Sequence, residues 1–411
     1  MKFSRNFATF SKLFKQINDT SSSIYIGKKS SNNLSVGLVG LANVGKSTFF
    51  QSLTKSKLGN PANYPFATIE PEKSTIIVES ETLNHYNQIF KSNKKINTNL
   101  IIWDIAGLTK NCNLGEGMGN KFLNNIRQVD GIIQIVRGFE NDDITHIEKT
   151  IDPIRDLIIV QDELILKDVE FIENEIEQLQ KLNKKMKFNK VKSLDYELNM
   201  NLMDKVIDLL YNGKKIINCE SEFNEDEIKI INKLNLLTAK PTIYCLNVSE
   251  EDYKNQENKY YQNVLEWVNE NSNNKDKLLM FSGEYETKIN ELKGDELEVY
   301  QNGTETILNQ LIKEMRSLLK LISFYTCGET ESKQWTILKN STILEAAGLI
   351  HTDLKNTFIN SIVYKWEDLS KLKQFDENML KSMGKQYRQG KKYIIEDGDV
   401  IIIKAGKGKA R

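Results

Sequence analysis

The stretch GLANVGKS, Gly40 to Ser47, has the residue types and the spacing to hold phosphate. It fits Gly-x-x-x-x-Gly-Lys-Ser/Thr, with an apolar run before it and a helical pattern after it. Gly40 and Gly45 permit backbone shapes that a Cβ would block. Loop N–H groups and the start of the helix then converge on phosphate oxygens. Lys46 brings a positive charge to the β- and γ-phosphates, and the Ser47 hydroxyl is a ligand for Mg2+. WDIAGL (103–108) supplies the complementary half. Asp104 at the end of an apolar run would hold Mg2+ through water, and the Gly107 N–H would meet the γ-phosphate. Thr68, in NYPFATIEPE (63–72), offers a second hydroxyl to the metal. Asn43 inside the loop is placed to help hold a monovalent cation such as K+.

CLNVSEEDY (245–253) raises the question of which base such a site takes. A guanine-binding chain of Ras-like architecture ends this strand in Asn-Lys-x-Asp. Here it reads Asn247-Val248-Ser249-Glu250. An aspartate accepts N1–H and N2–H2 of guanine together; a glutamate carries its carboxylate to a different reach. Val248 has no ammonium but is able to pack on a purine face, and Asn247, both donor and acceptor, suits either base. MFSGEY (280–285) resembles the fifth motif of these folds, with N–H groups near Ser282 and Gly283 approaching the base. Leu108 stands where Ras-like enzymes place the glutamine that orients the attacking water. It has no group for that task.

These residues need a scaffold. Apolar runs at 34–40, 75–79, 100–105, 131–136, 242–247 and 278–282, with helical patterns between several of them, predict a mostly parallel sheet covered by helices. From 151 to 235 the pattern changes. Ile165, Val169, Ile172, Ile176, Leu179, Leu182 and Met186 recur at spacings of four and three, the seam of a helical hairpin, with Leu202, Val206 and Leu209 on the returning arm. Its tip, Lys181 to Lys192, holds six lysines and no acid. That composition suits either a contact with RNA phosphates or a solvated hairpin end. From 321 onward LISFYTCG, QWTILK, NSIVYKW and DGDVIIIK are short strands around one helical stretch, STILEAAGLIH, and read as a small separate α+β domain.

Composition narrows the class. Charged residues make up 27% of the 411, yet formal net charge is zero, so any nucleic-acid footprint must be a local patch. The four cysteines are scattered with no C-x-x-C, against a disulfide framework or a zinc site. No apolar run reaches the ~18 residues of a membrane helix, so no membrane insertion is expected. Residues 1–33 carry Lys2, Arg5, Lys12, Lys15, Lys28 and Lys29 against Asp19 alone, with Phe3, Phe7, Phe10 and Phe14 on one helical face. This is the composition of a mitochondrial transit peptide, dispensable for folding; the alternative is a basic tail on a cytoplasmic protein.

The blocks GLANVGKSTFF, YPFATIEPE, DIAGL, LGEGMGNKFLNNIRQVDGIIQIVRGFENDDITHI, LTAKPTIYCLNVSEEDY, EAAGLIHTDL and YIIEDGDVIIIK occur in the same order as in the Obg-related NTPases, and resemble the YchF or Obg-like ATPase subfamily from about 34 to 404. The resemblance implies an α/β fold: a Ras-like P-loop NTPase domain (34–150 and 236–320), an inserted helical coiled-coil domain (151–235) and a C-terminal β-grasp TGS domain (321–406). It implies an ATPase that takes GTP less well, uses Mg2+ and acts with the ribosome, here a mitochondrial one, with rRNA or tRNA touched through the TGS domain. By position it carries Asn43, Val44, Gly45, Lys46, Ser47 and Thr48 over as phosphate binders, Ser47 and Thr68 as metal ligands, and Asn247 and Val248 as base contacts. Leu108 matches the family's hydrophobic replacement of the glutamine. Ala42 replaces a usual proline. Gln134 stands where many members have a histidine proposed to act in hydrolysis; as a catalytic candidate its amide could still orient water, but it transfers no proton at neutral pH. A competing expectation is therefore a hydrolysis-poor nucleotide-sensing adaptor, and a third is an RNA-binding module.

Overall fold

The computed structural model describes residues 25–27, 34–54, 72–104, 126–141, 150–185, 190–272 and 275–406, apart from the side chains of residues 182, 184, 185 and 190–195. The body opens on β1 (Leu34–Val39), buried at every residue but Ser35. Helix α1 (Lys46–Thr54) follows and turns Phe49, Phe50 and Leu53 into the core. Next come β2 (Glu72–Val78), α2 (Glu81–Ile89), β3 (Lys94–Ile96) and β4 (Thr98–Asp104). Ser80 caps α2 by accepting the Leu83 N–H. β5 (Gly131–Arg137) is buried along its whole length, as a strand covered on both faces must be.

The chain then leaves the sheet as a helical hairpin, α3 (Pro153–Lys185) and α4 (Lys190–Tyr211), followed by α5 (Glu225–Leu234). Asn224 and Glu227 close the start of α5 as a capping box. The seam is the one its spacing predicts: Ile165, Val169, Ile172 and Leu179 meet Leu202, Met203, Val206 and Leu210 in one buried cluster, with Ile176 and Leu209 at its margin. The side chains of Leu182 and Met186 lie outside the described residues. Two buried ion pairs fix the hairpin to the sheet. Asp168 accepts the N–H groups of Leu237 and Thr238 at 3.0 and 2.8 Å and takes the Arg127 guanidinium at 3.1 Å. Lys215, beyond α4, meets Asp276 at 3.0 Å. Charges stripped of water persist only when paired in this way, so removing one partner would be strongly destabilising.

The return supplies β6 (Thr242–Asn247), α6 (Glu250–Asn255), α7 (Tyr261–Ser272), β7 (Lys277–Phe281), α8 (Gly283–Glu291), α9 (Asp295–Gln301) and α10 (Ile307–Leu318). The sheet runs β2-β4-β1-β5-β6-β7, parallel except for the antiparallel β2–β4 pair. Val39, Asp104, Arg137 and Asn247 therefore end their strands along one edge, where open α/β sheets bind ligands.

β8 (Leu321–Cys327), β9 (Glu331–Leu338), α11 (Ile343–Ile350), β10 (Phe358–Tyr364), β11 (Tyr387–Gln389) and β12 (Val400–Ala405) form a second sheet in the order β11-β10-β12-β8-β9-β3, with α11 packed on it through Ile343, Ala346 and Ala347. This is the β-grasp arrangement, but the unit is not separate, which corrects the sequence expectation. β3 is its edge strand, Lys94–Ile96 pairing with Glu331–Lys333. Leu83, Tyr86 and Ile89 of α2 share a buried cluster with Tyr325, Tyr364 and Val400, and the Tyr86 hydroxyl donates to the Gly398 carbonyl at 2.7 Å. β3 has three residues, two of them exposed lysines, so no apolar period announces it.

The boundary of the expected leader also needs correcting. Tyr25 and Ile26 are buried, and Ile26 joins the core of the helical unit. The Asn232 amide accepts the Gly27 N–H at 2.9 Å and donates to the Tyr25 carbonyl at 2.8 Å. These three residues belong to the folded body. Among the described residues, no helix is long and apolar enough to cross a membrane.

Candidate nucleotide site

The phosphate end is built from the turn between β1 and α1. Gly45 has φ +99°, and a Cβ there would run into the side-chain nitrogen of Asn247. A Cβ on Gly40 would strike the Ile135 carbonyl of the neighbouring strand. Both positions demand glycine for reasons of space. Asn43 takes φ +61°, a left-handed shape that asparagine tolerates. The Lys46 side chain arches back over the loop, and its ammonium donates to the Leu41 carbonyl at 2.6 Å. Burial pushes that ammonium down to about 8, against the pull of nearby Asp104. Ser47 and Asp104, 57 residues apart in sequence, meet with Oγ donating to Oδ2 at 2.9 Å. A hydroxyl and a carboxylate side by side are the oxygen donors a small hard cation takes. Among the described residues there is no group of three or more His, Cys, Asp or Glu arranged for a metal. Water and phosphate oxygens would have to complete the coordination, as is usual for Mg2+.

The base end differs from what the sequence suggests. Asn247 is 4% exposed, and both functions of its amide are engaged within the protein. Nδ2 donates to the Val44 carbonyl at 3.0 Å, and Oδ1 accepts the Gly283 N–H at 3.1 Å. It is a staple joining the phosphate loop, the end of β6 and the start of α8. Val248 is 2% exposed and sits in the main core, with its N–H given to the Phe281 carbonyl at 2.8 Å. Its side chain is turned inward, away from any open face. Ser282 caps α8 by accepting the Tyr285 N–H. Thr48 lies beside Gly283. Glu250 is bound at both oxygens, by Lys254 at 2.8 Å and Lys288 at 2.7 Å.

Gln134 lies in mid-β5, level with Val39 and Tyr244, and is 4% exposed. It lines the sheet interior. Thr68, Gly107 and Leu108 lie outside the described residues. Of the tip Lys181 to Lys192, Lys181 is exposed and pairs with Glu177 at 2.9 Å; most of the remainder lies outside the described side chains. Three further residues, not singled out from the sequence, stand beside these. Arg137 ends β5 beside Asn247, buried, its guanidinium donating to the Phe139 and Asn141 carbonyls at 3.1 and 3.0 Å. Lys254 had a signal, the Glu-to-Lys spacing of four at a helix start. Lys288 had none.

A family model described as 50S ribosome-binding GTPase matches residues 35–248, and a second, named YchF-GTPase_C and described as a protein of unknown function, matches residues 321–406. The chain is 49% identical to an Obg-like ATPase homolog of Saccharomyces cerevisiae, over 93% of this chain and 96% of that one. It is 40% identical to human Obg-like ATPase 1, over 90% and 92%. The solved structure of the Schizosaccharomyces pombe YchF GTPase superposes with a TM-score of 0.77 at 38% identity, covering 93% of this chain and all of that one.

Proposed function

The chain belongs to the Obg-like ATPase (YchF) family of P-loop nucleotide-binding proteins, and from that premise we propose that it binds ATP, takes GTP less well, and hydrolyses the triphosphate slowly with Mg2+. The observation that carries this reading is the pairing of Ser47 with Asp104 beside the glycine-shaped loop and Lys46. Bound Mg2+ would offset charge on the phosphate oxygens. The chain's own part is positional. Loop N–H groups orient the phosphates, Lys46 exchanges the Leu41 carbonyl for a phosphate oxygen, and Ser47 and Asp104 fix the metal side. Asn43 is the loop residue assigned to a K+ ion.

Preference for adenine is supported by the inward Val248 and the engaged Glu250. Slow turnover is supported by Leu108, which lacks a hydrogen-bonding group, and by the burial of Gln134. The same burial favours a second reading, a nucleotide-sensing adaptor that hydrolyses nothing on its own. The ribosome, with rRNA or tRNA contacts through the C-terminal unit and the Lys181–Lys192 tip, is the partner suggested by the description of the matching model. A mitochondrial address is proposed from residues 1–24 alone, since Tyr25–Gly27 are part of the fold. A reporter fused to residues 1–24 that stays diffuse in the cytosol overturns that address.

The deciding experiment measures turnover of ATP and GTP by the full chain, with and without mitochondrial ribosomes. ATP turnover that rises with ribosomes supports the first reading. Binding without turnover under any condition supports the adaptor. Binding of neither nucleotide overturns both.

A further inference from the structure

Glu250 stands three residues after Asn247, where a guanine-binding chain of this architecture carries its aspartate. That aspartate works because two carboxylate oxygens face two donors, N1–H and N2–H2, that adenine lacks. Here each oxygen already holds a lysine ammonium. Oε1 accepts from Lys254 Nζ at 2.8 Å and Oε2 from Lys288 Nζ at 2.7 Å. The two lysines come from different elements. Lys254 is one turn further along α6, the favourable Glu-to-Lys order for a helix pair. Lys288 reaches across from α8, so the clamp spans the gap between the two helices.

Each lysine is itself steadied. Lys254 lies 3.9 Å from the centroid of Tyr300, whose ring stacks on Tyr285 at 5.6 Å. Lys288 also meets Glu284 at 2.8 Å. Burial alone would push the Glu250 carboxyl up, but the hydrogen bonds from Lys254 and Lys288 bring it down to about 2. The anion is present, and both of its oxygens are held by lysines of the protein.

We propose that Lys254 and Lys288 are base-selectivity residues, which tether both oxygens of Glu250 to α6 and α8 and partly neutralise them, and so weaken the acceptor pair that guanine requires. Adenine presents no donors to that position and loses nothing. The proposal rests on the reading of this edge as a nucleotide site. It also places the cause of relaxed guanine selection in two residues outside the motif and not in the extra methylene of Glu250. Shortening that side chain with Glu250→Asp leaves Lys254 and Lys288 in place and restores no guanine preference.

The test uses the full chain and competition of ATP and GTP against a fluorescent ATP analogue. Lys254→Met with Lys288→Met is expected to raise the GTP:ATP affinity ratio by about tenfold or more, the value of one charged hydrogen bond. Adding Glu250→Gln to that pair should return the ratio to the wild-type value. An unchanged ratio in a folded double variant overturns the proposal, as does a gain that survives the loss of Glu250. If the double variant fails to fold, Lys288→Met decides alone; Lys288 is 45% exposed and its loss leaves no cavity. That variant should show part of the gain, and none overturns the idea. Failure of the underlying site reading is separate, since the wild-type chain would then bind neither nucleotide.

Discussion

The phosphate end and the base end of the site share one sheet edge but use the chain in opposite ways. At the phosphate end the work falls to backbone. Gly40 and Gly45 are there to let main chain approach, and Ser47 and Asp104 bring oxygen donors together beside the loop. At the base end the side chains turn inward. Asn247 staples three segments, Val248 fills the core and Glu250 is clamped. Phosphate recognition is thus a property of local conformation, which a short motif dictates. Base recognition depends on which polar groups the fold leaves unsatisfied, and remote residues decide that.

Three substitutions separate the two ends. Lys46→Ala should have the largest effect on nucleotide binding. It removes charge-assisted contacts to phosphate worth about 1.5–3 kcal/mol each, so triphosphate affinity should fall on the order of 100-fold or more for ATP and GTP alike. Calorimetric titration showing unchanged affinity would end the phosphate-loop assignment. Val248→Lys comes next, and its effect should appear in stability. An ammonium forced into a core position at 2% exposure should cost about 3–4 kcal/mol, read as a lower denaturation midpoint, with no gain in GTP preference. A stable variant that prefers GTP would mean the side chain at 248 does face the base. Asn247→Ala follows. It leaves the Val44 carbonyl and the Gly283 N–H without their partner, at about 2–4 kcal/mol together. Loss of nucleotide affinity at full stability would make Asn247 a base contact and not a staple.

How far the sequence carried each end follows from the same contrast. GLANVGKS and the aspartate ending β4 gave the phosphate end because glycine positions and strand ends fix a backbone. The six principal strands and the hairpin seam were legible for a related reason: runs of buried residues and spacings of four and three are local patterns. The pairing of β3 with β9 was not, because register between strands more than 230 residues apart leaves no trace in a three-residue lysine-bearing segment. Lys288 is hidden likewise: only the packing of α8 beside α6 brings it to Glu250. Ile26 was read as part of a leader because its flanks are basic and polar, while the surface that buries it comes from the far end of the insertion.

The smallest expected effect concerns the wall behind the base end. Glu286, on α8, is 3% exposed and accepts the Ile307 N–H at 2.8 Å, which ties α8 to the start of α10. Burial pushes its carboxyl from 4.5 up to about 7, only partly offset by that N–H. Folded, the group keeps its proton up to about pH 7; unfolded, it gives the proton up near 4.5. Between those values the native state binds more protons than the unfolded one, so stability falls as pH rises through the window. The penalty is complete above about pH 7 and reaches at most ~3 kcal/mol for a shift of this size. Glu286→Gln keeps an oxygen for Ile307 and carries no charge at any pH. The variant should match the wild type near pH 4.5 and become more stable by about 1–3 kcal/mol at pH 8. Thermal midpoints taken across that range provide the comparison. Two curves that stay parallel would show that Glu286 is not held protonated by its surroundings, and that the inward-turned polar groups of the base end impose less on the fold than their burial indicates.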